Sequence, residues 1–109
     1  MTIKQYQKEV LRTVNQSIEN DEEKLKNFSL GLGGETGELL DLFKKYFYHG
    51  HKYDKNKIKK EMGDIMWYLC NIANIFKFDM EEIMELNINK LRKRYPEGFT
   101  EEESINRKI

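Results

Sequence analysis

A chain of 109 residues has the length of one domain, with a limited core and a large surface for its volume. Nineteen basic and nineteen acidic side chains give a formal net charge of zero, so the overall balance recruits neither nucleic acid nor an anionic membrane, and an anionic ligand must be held by a local site. No stretch approaches the roughly 18 consecutive apolar residues that span a bilayer. The single cysteine, Cys70, excludes an internal disulfide, and the start MTIKQYQKEV carries no apolar signal-peptide run, so a reducing, cytoplasmic setting is expected.

One proline, Pro96, among abundant Glu, Lys, Leu, Ile and Met favours helix throughout, and no apolar/polar alternation of strand length occurs. The first helix is expected over 2–20, with Ile3, Tyr6, Val10, Val14 and Ile18 as its apolar stripe. A second covers 24–48 and stops near Gly50. Its middle, GLGGETGELLD, holds Gly31, Gly33, Gly34 and Gly37, each costing about 1 kcal/mol against alanine inside a helix. Either a neighbour or ligand approaches that backbone closely, or the segment is a break between two helices.

After the loop HGHKYDKN, in which His49 and His51 lack the spacing of a zinc pair, a third helix is expected over 55–77. Its main stripe is Ile58, Met62, Ile65, Met66, Leu69, Ile72, Ala73 and Phe76. Trp67 and Cys70 project from roughly the opposite side, a second apolar face that reads as a subunit interface more readily than as a base-stacking platform. Asp79 is a good N-cap for a fourth helix with Glu81 and Glu82 in its first turn and Ile83, Met84, Leu91 and Tyr95 inside. Pro96 and Gly98 end it, leaving 99–109 as a short helix or arm. Short connections make consecutive helices antiparallel neighbours, so the expected fold is all-α: one domain over 1–109, a four-helix-type antiparallel bundle.

At about 100° per residue, Phe28, Leu32, Leu39, Leu42 and Tyr46 share one arc of the second helix, and Glu35 falls in its middle. Glu38 lies one turn on at the edge of that face, and Glu61 and Asp64 flank the stripe of the third helix with the same i, i+3 spacing. Burying clustered carboxylates is costly unless they are paired or bind a cation. All-oxygen ligation by Glu and Asp suits magnesium, or manganese, and magnesium commonly takes substrate phosphates as its remaining ligands. Phosphoryl or nucleotidyl hydrolysis is the chemistry implied. Solvated helix edges, or pairing with Lys44, Lys45 or Lys60, is the bland alternative for any one such pair.

The blocks GETGELLD, EMGDIMWYL and NINKLRKRYPEGF, in that order, resemble the MazG-like nucleotide pyrophosphohydrolases of the all-α NTP pyrophosphatase superfamily. Their signature is ExxE, a variable spacer, then ExxD; here ETGE ends at Glu38, 22 residues intervene, and EMGD begins at Glu61. The resemblance runs from about Tyr6 to Phe99. It implies cleavage of the α,β bond of a (deoxy)nucleoside triphosphate to monophosphate and pyrophosphate, with Glu35, Glu38, Glu61 and Asp64 as Mg2+ ligands. Manganese is a possible substitute for the magnesium.

A carboxylate left unsaturated by metal, Glu38 at the edge of the stripe, is the expected general base. Lys90, Lys93 and Arg94, or Lys44 and Lys45, are candidate phosphate partners, and each is equally a solvated charge at a helix C-terminus. Tyr68, one turn beyond Asp64, is a candidate contact to sugar or base or else a packing tyrosine, and Asn87 in NINKL a hydrogen-bonding candidate or a surface asparagine. Relatives assemble as dimers or tetramers, so a homodimer or homotetramer is expected, with a nucleotide as the other partner.

Three rival readings remain: a non-catalytic nucleotide-binding module, a di-iron carboxylate bundle, which would need an ExxH on two helices that Glu35 and Glu61 do not begin, and a purely structural helical oligomer. The preferred base and sugar are not legible.

Overall fold

A computed structural model describes residues 1–107, all of it helix and connection apart from one isolated bridge between Pro96 and Gly98. Helix α1 (Ile3–Glu9) starts at a capping box, in which Thr2 Oγ1 accepts the Gln5 N–H and Gln5 Oε1 accepts the Thr2 N–H. It tightens into a 3-10 turn, Val10–Thr13, and stops there rather than continuing to residue 20. The local chemistry explains the stop. Asn15 Oδ1 accepts from both the N–H and the hydroxyl of Ser17, a side-chain turn that competes with helical bonding.

Helix α2 (Asp21–Tyr48) begins earlier than the spacing of its apolar residues suggests, because Asn20 caps it through the Glu23 N–H and three acidic residues occupy its first turn. It continues unbroken through all four glycines. At Gly31 the reason is visible: a Cβ there would collide with the Tyr68 ring, so the missing side chain is what lets α2 and α3 approach. Helix α3 (Lys55–Ile75) is capped by Asp54. Helix α4 (Met80–Arg94) is capped by Asp79, as expected. The expected tail is a short helix, α5 (Glu101–Ile105); residues 108 and 109 lie outside the described residues.

The dominant contact is the antiparallel pair α2 and α3. Phe28 meets Trp67 and Tyr68 at one end, and Phe43 meets Tyr53 at the other. The four-helix bundle is not closed within one chain, since α4 packs mainly on α1. Gln7 makes that junction: its Nε2 donates to Asn74 Oδ1 (2.9 Å) and Phe78 O (2.7 Å), and its Oε1 accepts the Met80 N–H (3.0 Å).

The burial on α3 departs from the reading by periodicity: Cys70 of the second face is fully buried, while only Ala73 of the main stripe is, and half of that stripe lies exposed. Cys70 and Ala73 are buried with Val10 and Met80, Asn71 is buried as well, and Trp67 packs on Phe28 and donates its indole N–H to Thr13 Oγ1 (2.8 Å). Met62, Met66, Leu69 and Phe76 are the exposed ones. The accessible surface is 8828 Å², whereas a folded monomer of 13.1 kDa exposes about 6,400 Å². The radius of gyration, 17.3 Å, likewise exceeds the roughly 13 Å of a compact chain this long. None of the described helices is long and apolar enough to cross a membrane.

Candidate active site

Because α2 and α3 run antiparallel, the ETGE of one lies beside the EMGD of the other. Oxygens of Glu35, Glu38 and Glu61 fall within 4.8 Å of one another. Bonds of about 2.1 Å to Mg2+ place opposite oxygens ~4.2 Å apart, so this spacing is close to a coordination shell. Glu35 Oε2 and Glu61 Oε2 are buried without a hydrogen-bond partner among the described residues. Such orphaned anionic oxygens are expensive, and a hard divalent cation is the group that would satisfy them. The donor set therefore fits magnesium or manganese chemically.

Without a counter-ion the cluster relieves itself through a proton. The hydrogen bond that a protonated Glu35 makes to Glu61, then burial, then the charges of Glu38, Asp64 and Glu61 push the Glu35 carboxyl from 4.5 up to about 7. Asp64 stands outside the tight trio and is exposed, near enough to act on Glu35 by charge. Tyr6 of α1 donates its hydroxyl to the Gly63 carbonyl (3.3 Å), tying the N-terminal helix to the turn of α3 that carries Glu61 and Asp64. Burial, followed by the charges of Cys70 and Asp64, raises the Tyr6 phenol, which keeps it a donor.

The four acidic residues divide between two cavities. Glu38 and Glu61 line one of about 720 Å³ whose rim carries Lys45, Lys57 and Lys60. Glu35 and Asp64 line another of about 280 Å³, walled by Thr13, Trp67 and Tyr68. Lys45 is anchored to Asp41 (3.1 Å), whose carboxyl is held below its ordinary range by Lys45 and Lys44. It thus reaches the first cavity from a fixed base.

Of the other residues singled out in the sequence, Tyr68 lines the second cavity. Asn87 and Lys90 stand exposed on α4 and Arg94 is half-buried in its last turn; none of the three lines either cavity of a single chain. His49 and His51 lie in the exposed connection between α2 and α3, and His51 lines a separate small cavity beside Lys45 and Lys57. Lys57, Lys60 and Thr13 escaped the sequence reading as site residues, and Trp67, weighed there as a base-stacking platform but read as a subunit interface, lines the second cavity. For Lys57 a signal existed, since it precedes Glu61 by four residues and so shares its helix face. Thr13 carried none, because its placement depends on the 3-10 turn packing against α3.

Comparison with known proteins places the chain in a family. The Gene 37 protein of Mycobacterium phage L5 is 29% identical over 89 residues, covering 78% of each chain. No solved structure matches the chain. The family described as MazG nucleotide pyrophosphohydrolase domain matches residues 23–99, the span that holds ETGE, EMGD and all of α4. The chain accordingly belongs to the MazG nucleotide pyrophosphohydrolase family.

Proposed function

We propose that this protein hydrolyses the α,β-phosphoanhydride bond of (deoxy)nucleoside triphosphates, with Mg2+ held by Glu35, Glu38, Glu61 and Asp64, releasing monophosphate and pyrophosphate. The observation that carries the reading is the trio of carboxylates within 4.8 Å, two with orphaned buried oxygens, opening on a cavity rimmed by lysines. The bound cation supplies charge neutralisation and a water of lowered pKa; manganese is an acceptable substitute.

The chain's own groups do the rest. Lys45, Lys57 and Lys60 bind the phosphate oxygens and orient the α-phosphorus toward the carboxylates. Glu38, exposed at the cavity wall, takes the proton of the attacking water. The water oxygen bonds to the α-phosphorus, the bond from that phosphorus to the bridging oxygen breaks, and pyrophosphate leaves with the bridging oxygen. Tyr68 contacts the sugar or base from the other side.

Asn87, Lys90 and Arg94 reach the phosphates from a second copy. A homodimer or homotetramer is supported by the excess exposed surface of about 2,400 Å² over a compact monomer, the range an obligate interface buries. The exposed stripe Met62, Met66, Leu69 and Phe76 on α3 belongs to that interface. A single domain spanning the chain, acting in the cytoplasm on nucleotide pools as a control or house-cleaning enzyme, completes the proposal; nucleic acid and membrane are not partners in it.

The test is a panel of canonical and modified triphosphates, with Mg2+ and with chelator, resolving products by ion exchange and including Glu38→Gln. Magnesium-dependent monophosphate and pyrophosphate, lost on substitution, is the expected result. Diphosphate with orthophosphate would mean the wrong bond, and no turnover with any nucleotide would leave a binding module.

A further inference from the structure

A cavity of about 440 Å³ lies where α1 meets the end of α3 and the start of α4, and none of the four clustered carboxylates lines it. Lys4 and Lys8, one turn apart on α1, form one wall with Leu11 just beyond them; Lys77 and Phe78 form the other. Lys77 takes a left-handed backbone conformation (φ 57°), fixed by its own N–H on the Asn74 carbonyl (3.1 Å) and by the Phe78 N–H on the Ala73 carbonyl (2.9 Å). All three lysines are exposed, and Leu11 and Phe78 are about half exposed. The one acid in the wall, Asp79, is engaged in capping α4, and Glu81 stands 3.9 Å from Lys4 at the edge. The hollow therefore calls for a partner that carries several negative charges around an aliphatic group.

The chain carries such a group at its own C-terminal end. Residues 95–106 include Glu97, Glu101, Glu102 and Glu103 and no basic residue. The short helix α5 is preformed, with Thr100 Oγ1 accepting the Glu103 N–H (3.1 Å). Glu101 and Glu102 precede Ile105 by four and three residues, which sets two carboxylates and one aliphatic side chain on a single helix face. Ile105 is 81% exposed, and α5 makes no substantial packing with α1 or α3 among the described residues. The cavity lies at the start of α4, whereas the arm leaves from its far end, about 22 Å along the helix axis. The acidic face of the arm is thus presented to another molecule.

We propose that the α5 arm of one copy docks in the lysine cavity of a second copy, with Glu101 and Glu102 meeting Lys4, Lys8 and Lys77, and Ile105 lying on Leu11 and Phe78. A two-fold axis makes the exchange reciprocal, each copy giving an arm and receiving one. Phe78 stacks on Phe76 (ring centroids 5.4 Å, 18°), the last residue of the exposed α3 stripe, so the docked arm continues that apolar surface. Exposed ion pairs are individually weak and screened by salt; the aliphatic contact and the twofold repetition are what make them add. The inference needs a second copy of the chain and is independent of the hydrolysis reading.

Sedimentation of the full chain over a concentration series at low salt reads the association directly and needs no turnover. Lys8→Glu with Lys77→Glu reverses the cavity, and Glu101→Lys with Glu102→Lys reverses the arm. Each pair of substitutions should raise the dissociation constant of the assembly about tenfold, as several exposed attractions become repulsions. Mixing the two reversed proteins in equal amounts should restore association to the wild-type level, because every arm then meets a cavity of opposite charge on the other copy. Deletion of residues 99–109 should weaken association at least as much as reversing the arm. Circular dichroism melts confirm that each variant is folded. Wild-type association in both reversed proteins or in the truncated chain would overturn the exchange, and so would a mixture that associates no more tightly than either variant alone. A wild-type chain that stays monomeric across the series would overturn it as well.

Discussion

Replacing Glu35 with glutamine in the metal-free protein is expected to flatten the dependence of stability on pH. The wild-type carboxyl titrates at about 7 in the folded chain against 4.5 when unfolded. A raised acid stabilises the fold fully below pH 4.5, and that contribution is lost as pH rises toward 7, where the folded state must ionise Glu35 beside Glu61, Glu38 and Asp64. At about 1.4 kcal/mol per tenfold change in proton affinity, the displacement corresponds to roughly 3 kcal/mol. One Glu35 oxygen is sealed and the side chain is otherwise half-buried at a cavity wall, so solvent screening reduces the figure to about 1.5 kcal/mol.

Glutamine keeps the shape and cannot ionise. Urea unfolding at fixed protein concentration in chelator, from pH 4.5 to 8, should show the wild-type midpoint falling by about 1 M relative to the variant, for a slope near 1.5 kcal/mol/M. Other titrating groups cancel in the difference between the two proteins. Parallel pH profiles for wild type and Glu35→Gln would refute the coupled cluster, and a wild-type midpoint that rises relative to the variant's across the window would refute the sign.

Further outcomes follow from the same geometry. Mg2+ at about 100 times its dissociation constant should stabilise the wild type at pH 7.5 by about 2.7 kcal/mol in thermal melts; Glu61→Gln should lose most of that gain, because it removes an oxygen of the trio. Gly31→Ala should destabilise by about 1–3 kcal/mol, since its Cβ meets the Tyr68 ring, while Gly33→Ala, with open space around it, should stabilise by about 0.4–1 kcal/mol. Opposite signs in paired melting curves are the check, and equal effects would contradict the close approach at Gly31. Gln7→Ala should cost about 2–3 kcal/mol and accelerate amide exchange at Met80, whose N–H loses its acceptor.

Much of this molecule is legible residue by residue. The caps Asp79 and Pro96 with Gly98 bound α4 where they stand, because capping and proline stereochemistry act within a few residues. Glu35 in the apolar arc of α2, one turn from Glu38, together with the matching pair on α3, announced a carboxylate cluster, because helical spacing fixes which carboxylates share a face. Where a local competitor intervened, the periodicity misled: the Asn15 and Ser17 turn ends the first helix at Thr13 although Val14 and Ile18 continue the stripe.

Tertiary structure decided what periodicity cannot rank. Helix α3 has two apolar faces, and the amphipathic pattern alone does not say which meets α1 and α2 and which is left outward; the fit of Tyr68 over Gly31, and of Trp67 onto Phe28 and Thr13, settles that in favour of the smaller face. The same packing divides the carboxylates between a lysine-rimmed cavity and an aromatic one. Sequence determined the fold class, the Asp79 cap and the two i, i+3 acidic pairs because these depend on residues within one or two turns of each other. The pairing of faces and the shape of the cavities depend on residues far apart in the chain, from Gly31 and Tyr68 to Thr13 and Trp67, and such distances are closed only by the fold.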